Sequence, residues 1–175
     1  VFLIIIGAVA YSGMERISQS VSQANATAKT QANLTLVTES VRGNLLGMVS
    51  SMVLGSMTWE AASAALLQAS SEIEKNWERY VADIKATGSL SLDRDKAVAV
   101  SGIKDVRTVI KQVEELFNLR DRSRLTLFVS NDIEDMITPF FKSMLVASTK
   151  VSELSDQALA CLLYTSPSPR DRTRS

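Results

Sequence analysis

Apolar residues return every three or four positions along most of this chain, and very little interrupts them. Leu34, Val37, Val41, Leu45, Met48 and Met52 form one such series, preceded after a slip by Ile17, Val21, Ala24 and Ala28. Trp59, Leu66, Ile73, Trp77, Tyr80 and Ile84 form a second, with Ala62 and Ala69 between them. Ile103, Val106, Ile110, Val113 and Phe117 alternate steps of three and four, the cleanest repeat of the chain. A fourth series runs through Ile133, Ile137, Phe140, Met144, Ala147, Val151, Leu154 and Ala158. Such spacing places each set on one side of an α-helix and excludes the alternation of a half-buried strand. Breakers are scarce: of three prolines, Pro167 and Pro169 lie at the extreme C-terminus, leaving Pro139 within the first 160 residues. The fold class is therefore all-α.

Local signals divide the helices. The first is expected to run to about residue 53, where Gly43, Gly47, Ser51 and Gly55 stand four apart and loosen it before a turn. The second begins near Ser56 or Thr58 and stops at Gly88 in KATGSLSLD, a run of turn-forming residues. Asp93 is expected to cap the third helix. Asn131 with Glu134 resembles a capping box for the fourth, and Pro139 is expected to kink that helix or open a break near Asp135. LTLFV, at 125–129, has strand character but no second strand to pair with, and is kept helical or within the turn. Four segments of about 30 residues, each rising about 45 Å, give an elongated up-down-up-down four-helix bundle. The turn at Gly88 lies at one end and the turns near 55 and 130 at the other.

The N-terminal run VFLIIIGAVAY is followed by Ser12 and Gly13. A membrane-spanning helix needs about 20 apolar residues, so this run is expected to be part of one, with the remnant of a signal peptide or a buried terminal element as alternatives. The expected organisation is a partial transmembrane helix over 1–12 and a bundle domain over 13–160.

Composition argues against chemistry. The chain has no histidine and one cysteine, Cys161, so the usual neutral-pH base, cysteine zinc sites and internal disulfides are unavailable. No phosphate-cradling glycine loop, dinucleotide fingerprint, zinc-protease helix or calcium loop occurs. Nineteen basic and nineteen acidic residues balance, without the basic excess of a nucleic-acid binder. Glu72 and Glu74, Glu114 and Glu115, and Asp132, Glu134 and Asp135 are expected on solvated faces. Trp59 and Trp77 are expected in the core or at the distal tip. Neither an enzyme nor a cofactor is expected.

A long helix carrying the N-terminal apolar run, a mid-chain turn near 85–92 and a fourth helix returning to the first helix's starting level resemble the four-helix-bundle sensory portion of bacterial methyl-accepting chemotaxis receptors. The resemblance is one of architecture over 1–160. It implies the extracytoplasmic sensory domain of a membrane chemoreceptor: a homodimer in the bacterial inner membrane, with residues after about 12 in the periplasm. Such a domain meets a small ligand or a periplasmic binding protein, and reaches a cytoplasmic kinase and adaptor through further domains. The sensor domain of a membrane histidine kinase, or a membrane-anchored structural or interaction bundle, are the alternatives. Family members that bind amino acids use arginines on the first helix and a threonine-containing stretch on the fourth. Here the first helix offers Arg16 and Arg42, not closely spaced, and Thr149 lies on the fourth without a matching pattern. Arg42 is the candidate ligand contact.

The last fifteen residues, CLLYTSPSPRDRTRS, break with everything before them. CLLYTSPSPRD can be back-translated into DNA that resembles a transposase sequencing adapter read in one frame. Residues 161–175 are accordingly expected to be disordered and foreign to the fold.

Overall fold

The computed structural model describes the backbone of residues 2–87 and 90–165, and leaves undescribed the side-chain surroundings of 1–13, 16, 87–99, 158 and 161–165. The chain is an all-α helical bundle. Helix α1 (Phe2–Glu39) passes into a π-helical segment (Ser40–Leu46) and then α2 (Gly47–Val53) without a break, so helix persists to Val53. Helices α3 (Trp59–Thr87), α4 (Leu90–Leu119), α5 (Arg122–Asn131) and α6 (Ile133–Thr165) follow.

Four lateral pairings close the bundle: α1 packs on α3 and α6, and α4 packs on the same two. Antiparallel register is visible in the polar partners. Asn33 meets Asp83, Ser40 meets Asn76 and Asn44 meets Glu72, so positions on α3 fall as those on α1 rise. Glu74 meets Arg107 and Glu60 meets Arg120 in the same opposed sense between α3 and α4.

The periodic residues from Leu34 onward form the core, whereas Ile17, Val21 and Ala28, which continue the same spacing toward the N-terminus, are exposed. Val37, Val41, Leu45, Met52, Ile73, Tyr80, Ile103, Val106, Val113 and Phe140 are fully or almost fully buried. Burial of this kind contributes about 1.5–3 kcal/mol for each large side chain, which outweighs the modest helix propensity of the Ser- and Thr-rich first helix. The seam predicted on α3 is buried from Ala62 to Ile84. Trp77 lies in the core, while half-buried Trp59 meets Phe117 edge-on at 5.8 Å.

The four-helix architecture is corrected to five helical runs among the described residues, counting Phe2–Val53 as one. The additional run is α5, which contains LTLFV. Arg120, at φ 51°, turns the chain out of α4. Asp121 then accepts a hydrogen bond from the Arg124 N–H at 3.0 Å, satisfying a free donor of the first turn of α5. A reversal therefore sits at 120–121, and the turn expected near 130 is present as a break at Asp132 between α5 and α6. Asn131 closes α5 and does not cap α6. Asp93 falls inside α4, which already begins at Leu90. Helix α6 passes through Pro139 with no break at Asp135, and it runs past Ala160 to Thr165. The turn expected at Gly88 lies outside the described residues, as does the tail from 166 onward.

A second correction concerns the membrane. Among the described residues no helix is long and apolar enough to cross a membrane, which overturns the expected transmembrane helix. The reason is legible in α1: Ser12, Gly13, Glu15 and Arg16 follow the apolar run within the same helix, far short of the roughly 20 apolar residues a span requires. The side chains of 1–12 themselves lie outside those described.

Of the small residues before the first turn, a side chain added at Gly43 or Gly47 would meet nothing within 4 Å. They mark no close packing within the chain, and Gly55, at φ 75°, makes the turn itself. Close packing occurs elsewhere. A Cβ on Gly102 would lie 2.9 Å from Ser143 Oγ and 3.0 Å from the Cα of Phe140, so α4 approaches α6 through the missing side chain.

Candidate functional site

Arg42 lies on the outward side of the π-helical segment, where its side chain reaches α6. Its guanidinium carbon stands 5.1 Å from the centre of the Phe141 ring, within the range of a cation–π contact. The two residues form a wall of a groove of about 390 Å³ between α1 and α6. Leu34, Met144 and Leu145 provide its apolar surface, Thr35, Thr38, Thr138 and Ser148 its hydroxyls, and Arg42, Lys142 and Glu39 its charges. A second hollow of about 390 Å³, reaching Leu46, Val49 and Ile133, shares Thr138 and Phe141 with the first.

The hydroxyls are partly committed. Thr35 Oγ1 donates to the Gln31 carbonyl and Thr38 Oγ1 to the Leu34 carbonyl, so they face the groove as acceptors. The ionic donors are Arg42 and Lys142. At the groove's lower rim Gln31 Nε2 donates to Ser148 Oγ at 2.8 Å, tying α1 to α6. Below that tie the core turns polar: Asn33 donates to Asp83, and Lys29 Nζ lies 3.0 Å from the same buried carboxylate.

Sequence reasoning singled out Arg42 and not the residues that surround it. Phe141, Lys142 and Glu39 stand at unremarkable positions, and nothing along the chain shows that α6 presents 138–148 to residues 34–42 of α1. The side-chain surroundings of Arg16 lie outside those described. Thr149 is exposed, donates to the Leu145 carbonyl, and does not line the groove.

The acidic residues expected on solvated faces divide. Glu74 takes a bidentate hydrogen bond from Arg107, both contacts at 2.7 Å. That bond, and secondarily the charge of Arg107, hold the Glu74 carboxyl below its ordinary value against the opposing effect of burial. The Arg107 guanidinium is raised by the same partnership. Glu72 accepts from Asn44 and Gln68. The bonds from Arg107 and Asn44 tie α3 to its neighbours, and the one from Gln68 lies within α3. Among the described residues no group of three or more acidic or cysteine side chains is placed to hold a metal ion.

No protein-family model, curated protein or solved structure matches the chain. The resemblance to chemotaxis receptors thus reduces to its coarser content, an all-α helical bundle. With no described helix able to span a membrane, the expected role as an extracytoplasmic sensory domain of a membrane chemoreceptor is withdrawn. The inner-membrane and periplasmic placement and the membrane-anchored alternatives are withdrawn with it.

Proposed function

We propose that this chain is a non-catalytic ligand-binding bundle, and that the α1/α6 groove takes a small carboxylate with an apolar body. The observation that carries the reading is the seating of Arg42 over Phe141, with Lys142 beside it, on the wall of an otherwise apolar and hydroxyl-lined groove. Stacking on the ring holds the guanidinium in one place while leaving donors in its plane for an oxygen acid. The apolar body would lie against Leu34, Met144 and Leu145 and extend past Phe141 toward Leu46 and Ile133. Pockets of a few hundred cubic ångströms, mostly apolar with few polar groups, commonly hold such ligands.

Isothermal titration with phenylacetate and octanoate, against their neutral amides, tests this. The acids should bind and the amides should not. Arg42→Gln should weaken binding by about ten- to a hundredfold, the loss expected when a charge-assisted hydrogen bond of about 1.5–3 kcal/mol disappears. Equal binding of acid and amide, or an unchanged Arg42→Gln variant, would refute the reading.

A further inference from the structure

The winding of Ser40–Leu46 differs from that of the helices that flank it. Seven buried apolar residues run from Leu34 to Met52, and the three that lead into and through the segment, Val37, Val41 and Leu45, are spaced at four, a step that suits either winding. The segment is π-helical, and the Gly47 N–H donates to the carbonyl of Arg42, five residues back. Runs of π-helix are rare and cluster at functional sites. A π stretch between α-helices holds about one residue more per turn than its flanks, so losing it would shift the register of everything on one side.

Two contacts on the α3 side hold the π register. Asn76 Nδ2 donates to Ser40 Oγ at 2.8 Å, and Asn44 Nδ2 donates to Glu72 Oε2 at 2.6 Å, one at each end of the segment. The opposite side carries Arg42 into the groove. Glu39 and Arg42 are three positions apart, and in an α-helix such residues are neighbours able to form an ion pair. π-winding spreads them around the axis and leaves Arg42 over Phe141. Gly43, at the middle, has no side chain to obstruct rewinding and open space about it.

We propose that Ser40–Leu46 is a two-register element coupled to the groove. The α3 contacts and a carboxylate held on Arg42 both favour the π register, and rewinding to α-helix returns Arg42 to Glu39 and closes the anion site. The coupling rests on the ligand reading above; the two registers do not. A one-residue change of register is about 100° of rotation and 1.5 Å of rise between the helical stretches on either side, large enough to be felt along α1. Because binding and register are linked, whatever favours the α register must weaken the ligand by the same factor.

Through-hydrogen-bond scalar couplings in the isotopically labelled full chain read the register directly: Gly47 N couples to Arg42 C′ in the π register and to Gly43 C′ in the α register. The native chain should show the Arg42 coupling. In the double variant Asn44→Ala/Asn76→Ala the coupling should move to Gly43, phenylacetate should bind about tenfold more weakly, and saturating phenylacetate should restore the Arg42 coupling. A double variant that keeps only the Arg42 coupling overturns the two-register element. One that moves to Gly43 and binds phenylacetate without moving back overturns the coupling to the groove. If phenylacetate fails to bind even the native chain, the ligand reading falls with the coupling. The shift in the ligand-free variant then still decides whether two registers exist.

Discussion

Replacing Gly102 by alanine sets two opposing effects against each other at a single atom. Alanine in a helix interior is favoured over glycine by about 0.8–1 kcal/mol, so an unobstructed site should gain that much. At Gly102 the added methyl group would stand 2.9 Å from Ser143 Oγ and 3.0 Å from Phe140 Cα. Neither neighbour yields easily. Ser143 is buried and its hydroxyl donates to the Phe140 carbonyl at 2.7 Å, while Phe140 Cα is backbone of α6 beside Pro139. Overpacking of this kind costs about 1–3 kcal/mol, so the net change should be a loss of about 1 kcal/mol. Gly47→Ala is the matched control, since Gly47 has helical angles and nothing within 4 Å; it should gain close to the full propensity. Urea unfolding followed by circular dichroism, with equal slopes in the two variants, measures both. Adding Ser143→Ala to Gly102→Ala should recover part of the loss and leave the part owed to the backbone contact. If Gly102→Ala stabilises the chain as much as Gly47→Ala does, the close approach of α4 to α6 is wrong.

Two further outcomes test the remaining elements. Asp121→Ala removes the N-cap of α5 and should cost about 1 kcal/mol in thermal or urea unfolding, whereas Asp121→Asn should cost much less because it keeps the accepting oxygen. Glu74→Gln should destabilise by about 0.5–1 kcal/mol near neutral pH; the value is kept at the surface-pair scale because both side chains are more than a third exposed. The carboxyl is depressed in the folded chain, so its contribution is present above the ordinary value of 4.5 and is lost as pH falls through the lower folded value. Urea midpoints of native and variant protein should therefore converge in acid, and a constant difference across that window would refute the assignment.

From Leu34 onward the buried faces were legible along the chain because burial in a helix leaves a one-dimensional trace, whereas Ile17 and Val21 keep the spacing and are exposed. Leu66, Ile73, Val106, Val113, Phe140 and Met144 could be read as core from spacing alone, and all are buried. Signals that depend on a single turn were less secure. Arg120 is a non-glycine residue at positive φ, which no pattern announced, and the reversal there sets α5 off as a separate helix. The membrane expectation rested on an apolar run that passes, within the same helix, into Ser12, Gly13, Glu15 and Arg16, and no described helix is long and apolar enough to cross a membrane.

What the sequence determines by itself is therefore the class of fold, the inward faces and the absence of the residue types that most metal and acid–base sites require. What only the tertiary structure decides is adjacency. Arg42 becomes a candidate ligand contact because antiparallel packing brings Phe141 and Lys142 to its level, and Gly102 becomes a tight contact because α6 passes across it. The π-winding of Ser40–Leu46 belongs to the same level: no spacing along the chain announced it, and its Ser40 and Asn44 bond to Asn76 and Glu72 on a neighbouring helix. Periodicity records how far each residue lies from water, and it carries no record of which helix stands on the other side.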